Sequence, residues 1–156
     1  MRKNRGIDPD ILIADNWGYQ LQGQTHDVKA LAAQPHDMLV IDSTRDGTND
    51  TRFTKAEVAE IKGDRSVLAS YISIGEAADF RDYWDKDWTT TGKATGKLTN
   101  EAPDWLGPVN PDWPESRKVR YWDDEWQEVM FNDKGTGDFD KIVKRGFDAA
   151  YLDIVD

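Results

Sequence analysis

Val67-Leu-Ala-Ser-Tyr-Ile-Ser-Ile-Gly-Glu-Ala77 is the stretch that decides the fold. Val67 to Ile74 is short, mostly apolar and rich in strand-favouring side chains. Gly75 interrupts the run, and Glu76 sets a carboxylate at its carboxyl end. Four further runs read as strands: Trp17–Gln22, Met38–Ser43, Val119–Trp122 and Ala149–Val155. Helical patterns lie between them. Asp27–Ala33 starts on an acidic N-cap after His26. Thr54–Lys62 opens with a T-x-x-E capping box of Thr54 and Glu57. Asp124–Phe131 follows, and Asp138–Arg145 is closed by Gly146. The alternation predicts an α/β fold with five parallel strands in barrel-like order.

No repeat or linker divides the chain, so residues 1–156 are expected as one domain. Residues 89–114 read as one long loop carrying Trp, Pro and Gly. A closed (β/α)₈ barrel takes about 250 residues and eight strands. The chain ends at Asp156 directly after its last strand, which suggests the front part of a longer, truncated barrel. A small open sheet, complete at five strands, is the alternative. In a truncated barrel the Ala149–Val155 strand would present an edge, left uncovered by the missing elements, that invites self-association.

Composition narrows the function. The 156 residues carry 20 Lys plus Arg against 30 Asp plus Glu, a net charge of −10. Such a surface repels phosphate backbones, which argues against nucleic-acid binding. There is no cysteine, so disulfides, Cys-ligated zinc and Cys nucleophiles are excluded. With two His, His26 and His36, a multi-His metal site has too few ligands. No apolar run approaches the ~18 residues of a membrane span, and the basic start MRKNRGIDPD lacks a signal-peptide core. Six of the seven Trp lie between Trp84 and Trp126. Aromatic faces beside carboxylates suit sugars, whose C–H faces stack while their hydroxyls need acceptors.

Carboxylates recur at one kind of position. Asp42, Glu76, Asp123 and Asp124, then Asp153 and Asp156, all sit at strand ends. In a parallel α/β fold these ends share one rim, where such folds place their sites. Two carboxylates in contrasting environments are what glycoside cleavage needs. The ordinary reading of an Asp after a strand is a helix N-cap or a turn residue, and Asp124 fits it best. Asp153 stands out because it interrupts an apolar strand, facing the same way as Tyr151 and Val155. Two motif look-alikes fail. Asp42 to Phe53 resembles a calcium loop but lacks the twelfth-position Glu. Gly92 to Leu98 resembles a phosphate loop one residue short, with Leu98 in place of Ser or Thr.

From Tyr71-Ile-Ser-Ile-Gly-Glu-Ala77 and Asp79-Phe-Arg-Asp-Tyr-Trp84 onward, the chain resembles the endo-α-1,4-polygalactosaminidases, family 114 of the glycoside hydrolases. The supporting blocks follow in order: Trp17-Gly-Tyr-Gln-Leu-Gln22, Val40-Ile-Asp42, Trp105-Leu-Gly107, Asn110-Pro111 with Trp113, Val119-Arg-Tyr-Trp122 with Trp126, and Gly146-Phe-Asp148 with Tyr151-Leu-Asp153-Ile-Val-Asp156. The resemblance implies a fold similar to a TIM barrel, of which this chain carries about five of eight strands. It implies cleavage of α-1,4-linked galactosamine polymers by a carboxylate pair, with no metal or other cofactor. It also implies export, a longer chain, and a further catalytic Glu on a later strand.

On this reading Asp153 is the nucleophile or base, and Glu76 is the other candidate catalytic carboxylate. Glu76 and Asp42 would bind substrate or tune the pKa of Asp153 by like-charge repulsion. Tyr19, Gln20, Asp123 and Asp156 complete the polar rim, and Tyr83, Trp84 and Trp122 are the stacking platforms. Arg81 is placed to hold Glu76 in an ion pair, the alternative being a surface residue of a short helix. Trp105 and Trp113 are expected in core and loop packing. A cationic galactosamine polymer would be drawn to an acidic cleft. The competing reading is a non-catalytic carbohydrate-binding α/β domain. A nucleotide-binding domain ranks last, for want of a phosphate loop.

Overall fold

A computed structural model describes residues 14–23 and 26–155. Four strands pair in parallel in the order β1 (Trp17–Gln20), β2 (Met38–Asp42), β3 (Val67–Ser73) and β7 (Ala149–Asp153). The register aligns Asp42 with Tyr71, Tyr71 with Tyr151, and Ser73 with Asp153. Side chains alternate across the sheet. Leu39, Ile41, Leu68 and Ile72 enter the main core with Leu31, Val58, Ile61 and Ile142 of the helices. Val40, Val67 and Ala69 form a smaller cluster on the other face, against Tyr71 and Tyr151.

The helices form where the capping residues place them. α1 (Val28–Ala32) is capped by Asp27, whose Oδ1 accepts from Ala30 N at 3.0 Å. α2 (Lys55–Lys62) has the full capping box: Glu57 N donates to Thr54 Oγ1 at 3.2 Å, and Thr54 N to Glu57 Oε2 at 2.8 Å. α3 spans Asp124–Met130 and α4 spans Asp138–Arg145. Gly146 closes α4 at φ 92°, a conformation glycine adopts without steric cost. No helix among the described residues is long and apolar enough to cross a membrane.

The fifth parallel strand is a correction. Val119–Trp122 does not join the main sheet. The chain pairs instead at β6 (Ser116–Val119), antiparallel to both β4 (Glu76–Ala78) and β5 (Leu106–Val109). The reason is connection length. Only residues 110–115 join β5 to β6, and a link that short joins antiparallel neighbours, whereas parallel strands need a crossover of a dozen residues or more. The stretch 89–114, read as loop, therefore supplies β5. Arg117 on β6 anchors it, donating to Ala94 O at 2.7 Å, Gly107 O at 2.7 Å and Gly96 O at 2.5 Å.

The chain leaves β3 for this second sheet at Ile74–Gly75. Val119 N donates to Gly75 O at 3.0 Å, and Trp126 Nε1 to Ile74 O at 2.9 Å. Gly75 lies against the end of β7: a Cβ there would fall 2.2 Å from Ile154 O. Ile154 itself has φ 54°, unusual for a β-branched residue. Ile74 N donates to Asp153 O at 3.1 Å, completing the junction.

Candidate active site

The ends of β2, β3 and β7 and the start of β4 open onto one cleft of about 840 Å³. Asp42, Glu76 and Asp153 all line it, each from a different strand. Parallel alignment brings the first and last together, and the turn at Gly75 brings in the second.

Asp42 is buried and fully engaged. Arg81 grips it with a two-pronged ion pair, Nη1 to Oδ1 at 3.2 Å and Nη2 to Oδ2 at 2.5 Å. Thr44 N and Thr44 Oγ1 also donate to Oδ1, both at 2.8 Å. Burial pulls the Arg81 pKa down, but the charge and hydrogen bonds of Asp42 outweigh it and hold the guanidinium above its usual value. The expected Arg81–Glu76 pair is thus corrected: Arg81 reaches Asp42. Glu76 is buried as well, and its Oε1 accepts from Asn110 Nδ2 at 2.7 Å and meets Lys118 Nζ at 2.9 Å.

Asp153 is held differently. Tyr71 donates its hydroxyl to Asp153 Oδ2 at 2.8 Å. The register explains the contact: Tyr71 faces Tyr151, and Asp153, two residues on, projects from the same face. Burial raises the Tyr71 pKa, and the hydrogen bond and charge of Asp153 raise it further. Tyr19 is raised in the same way, first by burial and then by Asp153. Two of the three carboxylates therefore face basic partners, while Asp153 faces a phenol.

Tyr19 and Gln20 of β1 line the cleft, Gln20 Oε1 accepting from Gln34 Nε2 at 2.5 Å. Tyr83 lines it too, with its ring edge-on to Trp126 at 5.4 Å and its hydroxyl accepting from Ala78 N at 3.2 Å. Burial raises the pKa of Tyr83. No group of three or more His, Asp or Glu among the described residues is arranged to hold a metal ion.

Other expected site residues lie elsewhere. Asp123 is not on the cleft. It caps α3, accepting from Glu125 N at 3.1 Å, so the plain N-cap is Asp123 rather than Asp124. Trp84 is buried, donating Nε1 to Gly92 O at 3.2 Å and packing edge-on to Trp88. Trp88, Trp105 and Trp126 continue that aromatic core, so Trp105 packs as expected. Trp122 is exposed beside Tyr121, away from the cleft lining. Asp156 lies outside the described residues. One lining residue runs against expectation: Trp113 is 59% exposed and faces the cleft. The Pro111 and Pro114 that flank it are the signal of a stiff hairpin tip, where packing rarely accounts for a large aromatic. Arg52 and Asp138 also line the cleft and went unread, because their approach to 4.0 Å joins segments far apart in sequence.

Comparison with known proteins places this geometry. The family model described as Glycoside-hydrolase family GH114 matches residues 5–156. A Methanocaldococcus jannaschii protein, the uncharacterized MJ1477, is 38% identical over 140 residues, covering 90% of this chain and 36% of that protein. An uncharacterized Deinococcus radiodurans protein is 33% identical over 150 residues, covering 95% of this chain and 42% of its own. The chain thus spans well under half the length of these relatives. Among solved structures, the glycoside hydrolase domain of PelA from Pseudomonas aeruginosa superposes with a TM-score of 0.58 at 16% identity, over 92% of this chain and 46% of that one. Aspergillus fumigatus Ega3, solved in complex with galactosamine, gives a TM-score of 0.58 at 16% identity, over 88% and 43%. The four parallel strands with their helices are a partial TIM-like barrel.

Proposed function

The chain belongs to glycoside hydrolase family GH114, and from that premise we propose that its cleft serves the hydrolysis of an α-1,4-linked galactosamine polymer outside the cell. One observation carries the reading: Asp153, at the carboxyl end of a parallel strand, presents a carboxylate oriented by the Tyr71 hydroxyl and open to an aromatic-walled cleft. Asp153 acts as nucleophile or base at the anomeric carbon. Tyr71, by holding Oδ2, fixes the carboxylate plane, so its approach to the sugar needs no reorganisation. Glu76 supplies the second carboxylate, placed to bind the sugar or to stabilise positive charge developing on its ring. The Arg81–Asp42 pair supports the wall rather than reacting, since both Asp42 oxygens are taken by donors. The net charge of −10 favours a cationic, partly de-acetylated polymer.

The test uses the full-length protein that carries this sequence. It is expected to release reducing ends from α-1,4-linked polygalactosamine. Asp153→Asn is expected to abolish release at an unchanged or raised Tm, because it removes one charge from an acidic cleft. Full activity in Asp153→Asn overturns the assignment. The ion pairs on Asp42 and Glu76 favour a second reading, a carbohydrate-binding domain without catalysis. Binding of the polymer with no cleavage by the wild-type protein would select it.

A further inference from the structure

Trp113 sits apart from the other tryptophans. Each of the other six contacts another aromatic ring, whereas among the described residues no ring packs on Trp113. It is 59% exposed, yet it stands on a turn tied by four hydrogen bonds. Asn110, itself 7% exposed, accepts at Oδ1 from Asp112 N at 2.9 Å and Trp113 N at 3.4 Å. Ser116 N closes the turn on Trp113 O at 2.9 Å, and Asn110 N reaches Ser116 O at 2.9 Å. The other end of the same Asn110 amide donates to Glu76 Oε1 at 2.7 Å. One buried side chain thus joins the backbone under an exposed indole to a carboxylate of the cleft.

A large apolar ring carried on an ordered backbone and left in water gains no burial in return for that ordering, and a ligand ring would supply it. We propose that Trp113 is the stacking platform for one pyranose ring of a polysaccharide bound in the cleft, and that Asn110 is the positioning residue that fixes this platform relative to Glu76. The indole offers a flat face to the C–H face of the sugar, while Glu76 accepts from groups on the edge of a ring in the cleft. Tethering the two through a single amide fixes the distance between the apolar and polar contacts, and with it the placement of the chain. This rests on the glycosidase reading of the cleft, and the experiment separates the two.

The full-length protein bearing Asp153→Asn is titrated with α-1,4-linked polygalactosamine by calorimetry, alone and with Trp113→Ala, Trp113→Phe or Asn110→Ala added. Trp113→Ala is expected to weaken binding on the order of tenfold at unchanged Tm, and Trp113→Phe to restore most of it. In the active protein, Trp113→Ala should raise KM more than it lowers kcat. Asn110→Ala should raise KM more than it lowers kcat at wild-type Tm, a split that simple loosening of the turn, read as a lower Tm, would not produce. If the wild type cleaves the polymer while Trp113→Ala binds and cleaves indistinguishably from its parent, this inference is overturned alone. A wild-type protein that neither binds nor cleaves the polymer overturns the glycosidase reading and this inference together.

Discussion

The Tyr71 hydroxyl and the Asp153 carboxylate make the contact on which the site turns, and pH can address it directly. Unfolded, a tyrosine loses its proton near pH 10. Folded, Tyr71 and Tyr83 hold theirs to higher pH because both are buried and Tyr71 also donates to Asp153. Raised folded pKa values give stability that is present in full below about pH 10 and lost as pH rises through the folded values. The urea midpoint is therefore expected to fall progressively as pH rises above about 10, and Tyr71→Phe to flatten that fall. Asp153→Asn should bring the Tyr71 titration to lower pH, though burial keeps it above the ordinary value; the ultraviolet phenolate band measures this. At Arg81, truncation to Ala leaves Asp42 buried without its cation, at a cost of about 3 kcal/mol or more. Adding Asp42→Asn to Arg81→Ala should recover much of that loss in a denaturation curve. Of the strand-end carboxylates, Asp42 and Asp153 were legible in the sequence because each ends an apolar parallel strand, whereas Asp123 follows a strand that joins the other sheet and caps a helix instead. Their partners were not. Arg81 follows Glu76 closely in the chain yet binds Asp42, because the turn at Gly75 redirects everything after it.

At the scale of elements, that turn is the point to test. A methyl group at Gly75 would meet the carbonyl of Ile154 at 2.2 Å and its Cγ2 at 2.6 Å, and the carbonyl is backbone that cannot swing aside. Gly75→Ala is expected to cost about 1–3 kcal/mol, read as a lower urea midpoint, and to perturb the Tyr71 titration because Asp153 moves with Ile154. Thr54→Ala is the contrasting case. It removes the capping box of α2, costs about 1 kcal/mol and leaves that titration alone. The helices were readable from the sequence because their caps are local chemistry, as at Asp27, Thr54 and Gly146. The strand near Val119 was misread because its apolar pattern says nothing about direction. Direction came from the short connection at residues 110–115. β4 was invisible because Glu76–Ala78 is too short to show alternation, and only its pairing with β6 makes it a strand.

Over the whole molecule, the parallel sheet is built in two very unequal stages. β1, β2 and β3 follow one another at short intervals, Trp17 pairing with Met38 and Met38 with Val67. β7 joins only after the chain has made the second sheet, α3 and α4. The Tyr71–Asp153 bond closes a loop of 82 residues. Loop closure costs about 0.6 kcal/mol for each doubling of length, and non-local contacts slow folding more than they weaken the product. The β1–β2–β3 unit is therefore expected to gather first. In refolding with pulsed hydrogen exchange, amides of Leu39–Ile41 and Leu68–Ser70 should gain protection before those of Ala150–Asp153. Simultaneous protection would show that β7 docks as early as its neighbours. Docking last has a consequence for the site. Asp153 arrives with the final strand, so a chain can show its full complement of helices while Tyr71 still has nothing to hold.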